Sequence, residues 1–239
     1  IDRLGQIFVQ GMKESVYSIG RVCTLSRQIN FFFANYLQTL ISSEYSNKIY
    51  TEYSGGDDLL LIGPWQTMFH FTALLREKFQ SFTCGKENIT MSAALVLSKP
   101  RSPVAQSVRR AEEMLEQAKL SGRNCISLFG LTVNWVQFNE AIRKGKLLDR
   151  LIKDQKIPAG FVYRLIKYTQ MHARARNGSI KDTVWRSHLS YDLGRNLQKL
   201  KKSSPQEYSE IEQMTVMSGN DTQMSKLRIA ATYALYANR

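Results

Sequence analysis

The stretch that most limits how this chain can fold is Tyr53-Ser54-Gly55-Gly56-Asp57-Asp58, set between two short apolar runs. Residues 48–53 before it and 59–62 after it are rich in Ile, Tyr and Leu and read as strands. Gly55-Gly56 between them signals a hairpin, because glycine accepts the positive φ that a two-residue turn demands. Such a turn delivers Asp57 and Asp58 at the start of the returning strand. Two carboxylates held at one tip repel each other unless a divalent cation or a proton lies between them. Metal-assisted phosphoryl chemistry and shared-proton catalysis both fit that tip, as does a plain solvated turn.

The surrounding 130 residues alternate helix and strand signals. Leu4, Ile7 and Phe8 have helical spacing, with Asp2 placed as an N-cap. Residues 22–41 repeat apolar side chains at a period of 3.6, and Phe31, Phe32 and Phe33 belong to that core. A polar loop at 42–47 leads into the hairpin, Gly63-Pro64-Trp65 ends it, and a helix spans 66–82. Residues 88–98 read as a buried strand. Pro103 suits a helix first turn, and the helix over 104–120 follows. Ser121-Gly122-Arg123-Asn124 turns the chain into a last strand over 125–129. This order gives an α+β unit with a mixed sheet and helices on one face.

Residues 131–134 form the boundary, and beyond them no strand signal is convincing. Helical patterns cover 135–156, 161–176, 185–200, 207–217 and 222–237, with a break at 157–160 and a polar linker at 201–207. The organisation is therefore an α+β domain over 1–130 and an all-α domain over 131–239.

Charge separates the two halves. The 239 residues carry a net +13, with 19 Lys and Arg against 9 Asp and Glu in residues 131–239, and 14 against 11 before them. Such a basic half suits contact with a polyanion. Tyr163, Arg164, Lys167, Tyr168, His172, Arg174 and Arg176 interleave aromatic and basic groups that could stack on RNA bases, pack in a helical bundle, or form a protein–protein face. Cys23, Cys84 and Cys125 are widely spaced, which argues for reduced thiols in a cytoplasmic protein and against a zinc site. The chain has no run of eighteen apolar residues, so no membrane partner is expected. Ile1-Asp2-Arg3 carries no signal-peptide pattern and reads as the start of an internal fragment.

The hexapeptide followed by Leu59-Leu60-Leu61-Ile62-Gly63-Pro64-Trp65 resembles the palm motif of the large signature subunit of type III CRISPR effector complexes, in the III-A or Csm branch. A second stretch is similar to palm-type nucleotidyl cyclases: Ala111-Glu112 to Ala118-Lys119, then Gly122-Arg123-Asn124. The resemblance implies a ferredoxin-like, polymerase–cyclase palm whose first strand lies outside this sequence, followed by a small helical domain. It implies synthesis of cyclic oligoadenylates from ATP with Mg²⁺ or Mn²⁺, switched on by target RNA. The implied partners are the other subunits of the complex, the guide RNA and the target RNA.

By the same resemblance, Asp57 and Asp58 are catalytic and hold metal together with Asp2, which matches the second acid of an Asp-x-Asp motif. The first acid of that motif would fall just before Ile1. Ser54, Gly55, Gly56, the amides near Leu4 and Gly5, and Lys119 are the implied nucleotide contacts. Read by itself, Lys119 is equally a cation at a helix C-terminus. No histidine–aspartate pair appears, so the N-terminal DNase module of many family members is not expected here. Two alternatives stand: a diguanylate cyclase-like enzyme, though Asp58-Leu59 replaces the usual Glu-Phe, and a non-catalytic RNA-binding scaffold.

Overall fold

The computed structural model describes residues 1–11, 15, 17–215, the backbone of 216, and 220–239. The chain forms two compact units, Ile1–Ser127 and Leu128–Arg239. Met217, with which the helix expected over 207–217 ends, lies outside the described residues.

The first unit opens with α1 (Leu4–Gln10). A long helical arm follows: α2 (Ile19–Phe31), a π-helical segment (Phe32–Tyr36) and α3 (Leu37–Glu44). Ser18 caps α2 by accepting from the Arg21 amide, the usual use of a serine at that position. Phe32, Phe33, Leu37, Leu40 and Ile41 face inward. Phe32 and Phe33 meet Phe79 of α4 (Trp65–Phe82) edge-on or tilted, arrangements that aromatic quadrupoles favour. The periodic helix is thus present, but it carries a π-segment that periodicity does not reveal.

Between α3 and α4 lies the hairpin of β1 (Tyr50–Gly55) and β2 (Asp58–Ile62). Gly55 pairs with Asp58 and Ser54 with Leu59, and the register shifts between Thr51 and Tyr53, which makes Glu52 a bulge residue. After α4 come β3 (Ala93–Leu95), α5 (Val104–Leu120) and β4 (Cys125–Leu128). The strand expected over 88–98 is therefore only three residues long. The α+β class holds, and β1 and β2 hydrogen-bond as a set apart from β3 and β4.

In the second unit, Phe129 and Gly130 both adopt positive φ and turn the chain into β5 (Leu131–Asn134). This strand falls where the sequence suggested a mere boundary; four residues give too short a pattern to stand out. All else is helical: α6 (Trp135–Lys153), α7 (Ala159–Arg176), a 3₁₀ turn (Ile180–Asp182), α8 (Trp185–Asn196), α9 (Gln198–Ser203), α10 (Pro205–Val216) and α11 (Asp221–Ala237). Asn134 and Gln137 form a capping box at the start of α6. α11 is the central helix, with Leu227, Ala230, Ala231 and Ala234 buried. Gly145 of α6 admits it closely: a Cβ there would come within 2.9 Å of Tyr233 and 3.1 Å of the Ala230 carbonyl. Glu207 binds Arg150 and Lys156, fastening α10 to α6 and the loop after it.

Candidate functional site

The hairpin turn uses Gly56 and Asp57 as its two central residues, with Gly55 and Asp58 pairing across it. Gly56 has φ 62°, while Asp57 keeps a negative φ, the pattern of a turn that needs glycine at its first central position. The expectation of a Gly55-Gly56 turn is corrected by one residue. Gly55 lies in β1, and a Cβ on it would meet the Tyr53 hydroxyl at 2.9 Å. The shift leaves Asp57 in the turn itself, about one-third exposed, and Asp58 exposed at the head of β2.

The Ser54 side chain is turned toward the helical arm. Its hydroxyl donates to the Phe33 carbonyl at 2.8 Å, inside the π-segment. Thr51 adds a second tie, donating to the Gln38 side chain at 3.2 Å. The two bonds pin β1 to the helical arm and so set where the acidic tip stands. Ser54 thereby positions the hairpin.

Beside the tip lies an open cleft of about 370 Å³ lined by Leu4, Phe8, Ser26, Arg27, Ile29, Asn30 and Gly56. Leu4 and Gly56 were expected at such a site. Phe8, Ser26, Arg27 and Asn30 were not, because they lie inside helical patterns that read as ordinary core or surface. α1 starts at Leu4 without a side-chain cap and without an acid in its first turn. A Cβ on Gly5 would meet nothing within 4 Å, so the surface there is open.

Asp2 is not the N-cap, and its side chain is buried. It is 5% exposed, and Arg3, in a left-handed conformation, occupies the N-cap position. Its carboxylate accepts from the Thr90 hydroxyl and the Ser92 hydroxyl, each at 2.7 Å, and from the Asn124 amide at 3.0 Å. Asn124 and Arg123 both hold positive φ after Gly122, which aims that amide at Asp2. The Asn124 side chain accepts from Arg76 at 3.0 Å. Burial pushes the Arg76 guanidinium down and the Asp2 charge pulls it back up. Burial, then Asp2, raises the Cys125 thiol. Held by three donors, Asp2 is a buried acceptor that joins the start of the unit to the turn before its last strand.

The backbone nitrogen of Ile1 lies 3.3 Å from Asp57 Oδ2 and 3.4 Å from the Asp57 carbonyl oxygen. Lys119 sits in the last turn of α5 and pairs with Glu116 at 2.7 Å, both side chains well exposed. The structure therefore brings together Gly56, Asp57, Asp58 and Leu4. It does not bring the Asp2 carboxylate or the Ser54 hydroxyl to them. Among the described residues no group of three or more His, Cys, Asp or Glu side chains is arranged to hold a metal. What the tip offers is two hard oxygen donors, a set suited to Mg²⁺, which takes one or two carboxylates and fills the rest of its shell with water and substrate phosphate.

Residues 1–127 match the family described as Cas10/Cmr2, second palm domain. The chain belongs to that family. Among Cas10 relatives, the subtype III-A protein of Enterococcus italicus, named a CRISPR system single-strand-specific deoxyribonuclease Cas10/Csm1, is 29% identical over 202 residues. That match covers 82% of this chain and 26% of the relative. The protein of the same name from Methanocaldococcus jannaschii is 31% identical over 165 residues, covering 59% and 20%. The chain thus spans about a quarter of the curated relatives it matches. Two solved structures share its fold. A Csm1–Csm4 cassette in complex with cA4 superposes with a TM-score of 0.72 at 21% identity, over 100% of this chain and 35% of that one. Csm1 of T. onnurineus gives 0.67 at 21% identity, over 96% and 36%. Among the described residues no helix is long and apolar enough to cross a membrane.

Proposed function

We propose that this palm is the nucleotide-polymerising site of a type III CRISPR effector subunit. It joins ATP through 3′–5′ bonds into oligoadenylates that finally cyclise, in a complex switched on by target RNA. The observation that carries this reading is the tip itself. The turn leaves Asp57 about one-third exposed and Asp58 exposed at the head of β2, and it shares Gly56 with a nucleoside-sized cleft. Solved relatives of the same fold were obtained with one ATP and with cA4, which agrees with an adenine nucleotide as substrate and cyclic oligoadenylate as product.

Phe8 and Ile29 give the cleft apolar walls for a flat base, and Ser26 and Asn30 supply hydrogen-bonding groups. Gly56 lets the backbone stand at the rim of the cleft with no side chain in the way. Asp57 and Asp58 are the residues that would hold Mg²⁺ or Mn²⁺. A cation held there would supply acidification of a ribose 3′-hydroxyl and neutralisation of charge on pyrophosphate. In the reaction the 3′-oxygen bonds to the α-phosphorus of a second ATP, the bond to pyrophosphate breaks, and the hydroxyl proton passes to solvent. The amides near Leu4 and Gly5, at the uncapped start of α1, would receive the triphosphate. Lys119, whose exposed pair with Glu116 is weak, is the cation α5 can turn toward it.

The test uses the full-length subunit in its assembled complex with target RNA, labelled ATP and Mg²⁺, with products separated by chromatography. Asp57→Ala with Asp58→Ala should cut oligoadenylate at least a thousandfold and leave the melting temperature within about 2 °C, since both side chains are at the surface. Product surviving in the double variant sinks the proposal. A parallel reaction with GTP separates it from a diguanylate cyclase-like activity. Loss of assembly without loss of an active site would instead favour a scaffold.

A further inference from the structure

The helical unit holds a second cleft, of about 530 Å³, between the loop after α6 and the junction of α8 with α9. Lys156, Arg195 and Lys199 line it, together with the amide side chains of Gln155, Asn196 and Gln198. No Asp or Glu lines it. Lys156 is held by Glu207 and Ser204, whereas Arg195 and Lys199 are exposed and pair with no carboxylate among the described residues. Two cations left without acids in a concave surface create a positive potential that a polyanion would relieve.

Two exposed aromatic residues lie one helical turn from residues that line this cleft. Tyr191, 65% exposed, precedes Arg195 by four residues on α8, and Tyr163, 53% exposed, follows the lining residue Ala159 by four on α7. Residues four apart share a helix face, so each ring stands one turn from the cleft. The two helices are fixed to each other: Asp192 of α8 accepts from Arg164 and from the Tyr168 hydroxyl of α7. Burial first, then the Asp192 carboxylate, pushes the Tyr168 phenol up to about 12, so it stays a donor. The rings are thereby held on a rigid pair of helices.

We infer that this cleft binds a single-stranded polynucleotide, with Arg195 and Lys199 on successive phosphates and Tyr191 and Tyr163 as stacking platforms for bases. Cations tracking a backbone beside aromatic faces are what unpaired strands require, because every base offers a π-face once it leaves a duplex. The amides of Gln155, Asn196 and Gln198 supply donors and acceptors for base edges or sugars. This site lies wholly in the second unit, and its assay is separate from nucleotide polymerisation.

The test is fluorescence anisotropy of the 239-residue chain with a labelled 20-nucleotide RNA, the same sequence as DNA, and its duplex, from 50 to 300 mM NaCl. Arg195→Glu with Lys199→Glu should weaken single-strand binding at least tenfold and lower the slope of log Kd against log salt by about 1.4, or 0.7 for each lost phosphate contact. Tyr191→Ala should weaken it at least fivefold with the slope unchanged. A control with the same charge change, Lys86→Glu with Lys181→Glu at exposed positions, should cost less than threefold. Tighter binding of RNA than DNA assigns ribose contacts to the amides, and equal binding supports phosphate-and-stacking recognition. Equal losses in the cleft and control variants, preference for duplex, or no binding at 50 mM salt would overturn the inference. Thermal melts of each variant separate lost binding from lost folding.

Discussion

Removing the Asp2 carboxylate strips three donors of their acceptor at once, two hydroxyls and an amide, beside the Arg76 guanidinium. Buried hydrogen bonds to a charged group contribute more than neutral ones, and a donor stranded in the interior costs its own desolvation. Asp2→Ala should destabilise the chain by roughly 3 kcal/mol, and Asp2→Asn, which keeps one acceptor oxygen, by about half as much. Urea unfolding checks this, and a loss below about 0.5 kcal/mol for the alanine variant would show that Asp2 is not the anchor described. The acids at the hairpin were legible in the sequence because glycine and paired carboxylates carry their own local meaning. The role of Asp2 was not, because its three partners sit between 88 and 122 residues away.

At the scale of elements, the hairpin and the arm behind it act as one device. The Ser54 hydroxyl of β1 donates to the Phe33 carbonyl inside the π-segment, tying the two together. Ser54→Ala should cost about 1 kcal/mol in stability and a larger share of activity, since the acidic tip loses its tie. Comparing urea midpoints with oligoadenylate yield in the full complex separates the two effects. Activity falling no further than stability would leave Ser54 a plain structural bond. The helices at 104–120, 161–176 and 222–237 were readable to within two residues, because their apolar period is long and their ends carry Pro, Gly or Asn. The π-segment was hidden because residues 22–41 keep their apolar period through it. The strand over 88–98 was overread because an apolar run does not say how much of it finds a ladder partner.

Over the whole molecule, charge sets the response to acid. Asp182 is held at about 2, chiefly by its bond from Arg174 and then by Ser179. Glu207 is lowered chiefly by its bond from Lys156, and Glu140 chiefly by its bond from Lys226. Carboxyls whose folded pKa lies below the unfolded value stabilise the fold above the usual range near 4, and that stability is lost as pH falls through the lowered values. Neutralising carboxylates also raises a net charge that is already +13 at pH 7, adding self-repulsion. The urea midpoint should stay level from pH 8 to about 5, then fall steeply between about 4.5 and 2, with salt at pH 3 raising it by screening. A midpoint flat down to pH 3 would show that these pairs contribute nothing. Composition alone signalled the basic half, but not which acids offset it, since Glu207 meets Arg150 and Lys156 only after α10 folds back.

The bond from Asn124 to Asp2 spans 122 residues, and this has a consequence for how the first unit is made. During synthesis at about 5–20 residues per second, the start of the unit waits on the order of 6–24 s before its last partner leaves the ribosome. Until then Asp2 lacks the amide that completes its set. Folding that depends on so distant a pairing is slow and late. The nascent palm is therefore a natural client for chaperones, and the start of the unit is locked down only once residue 124 has been delivered.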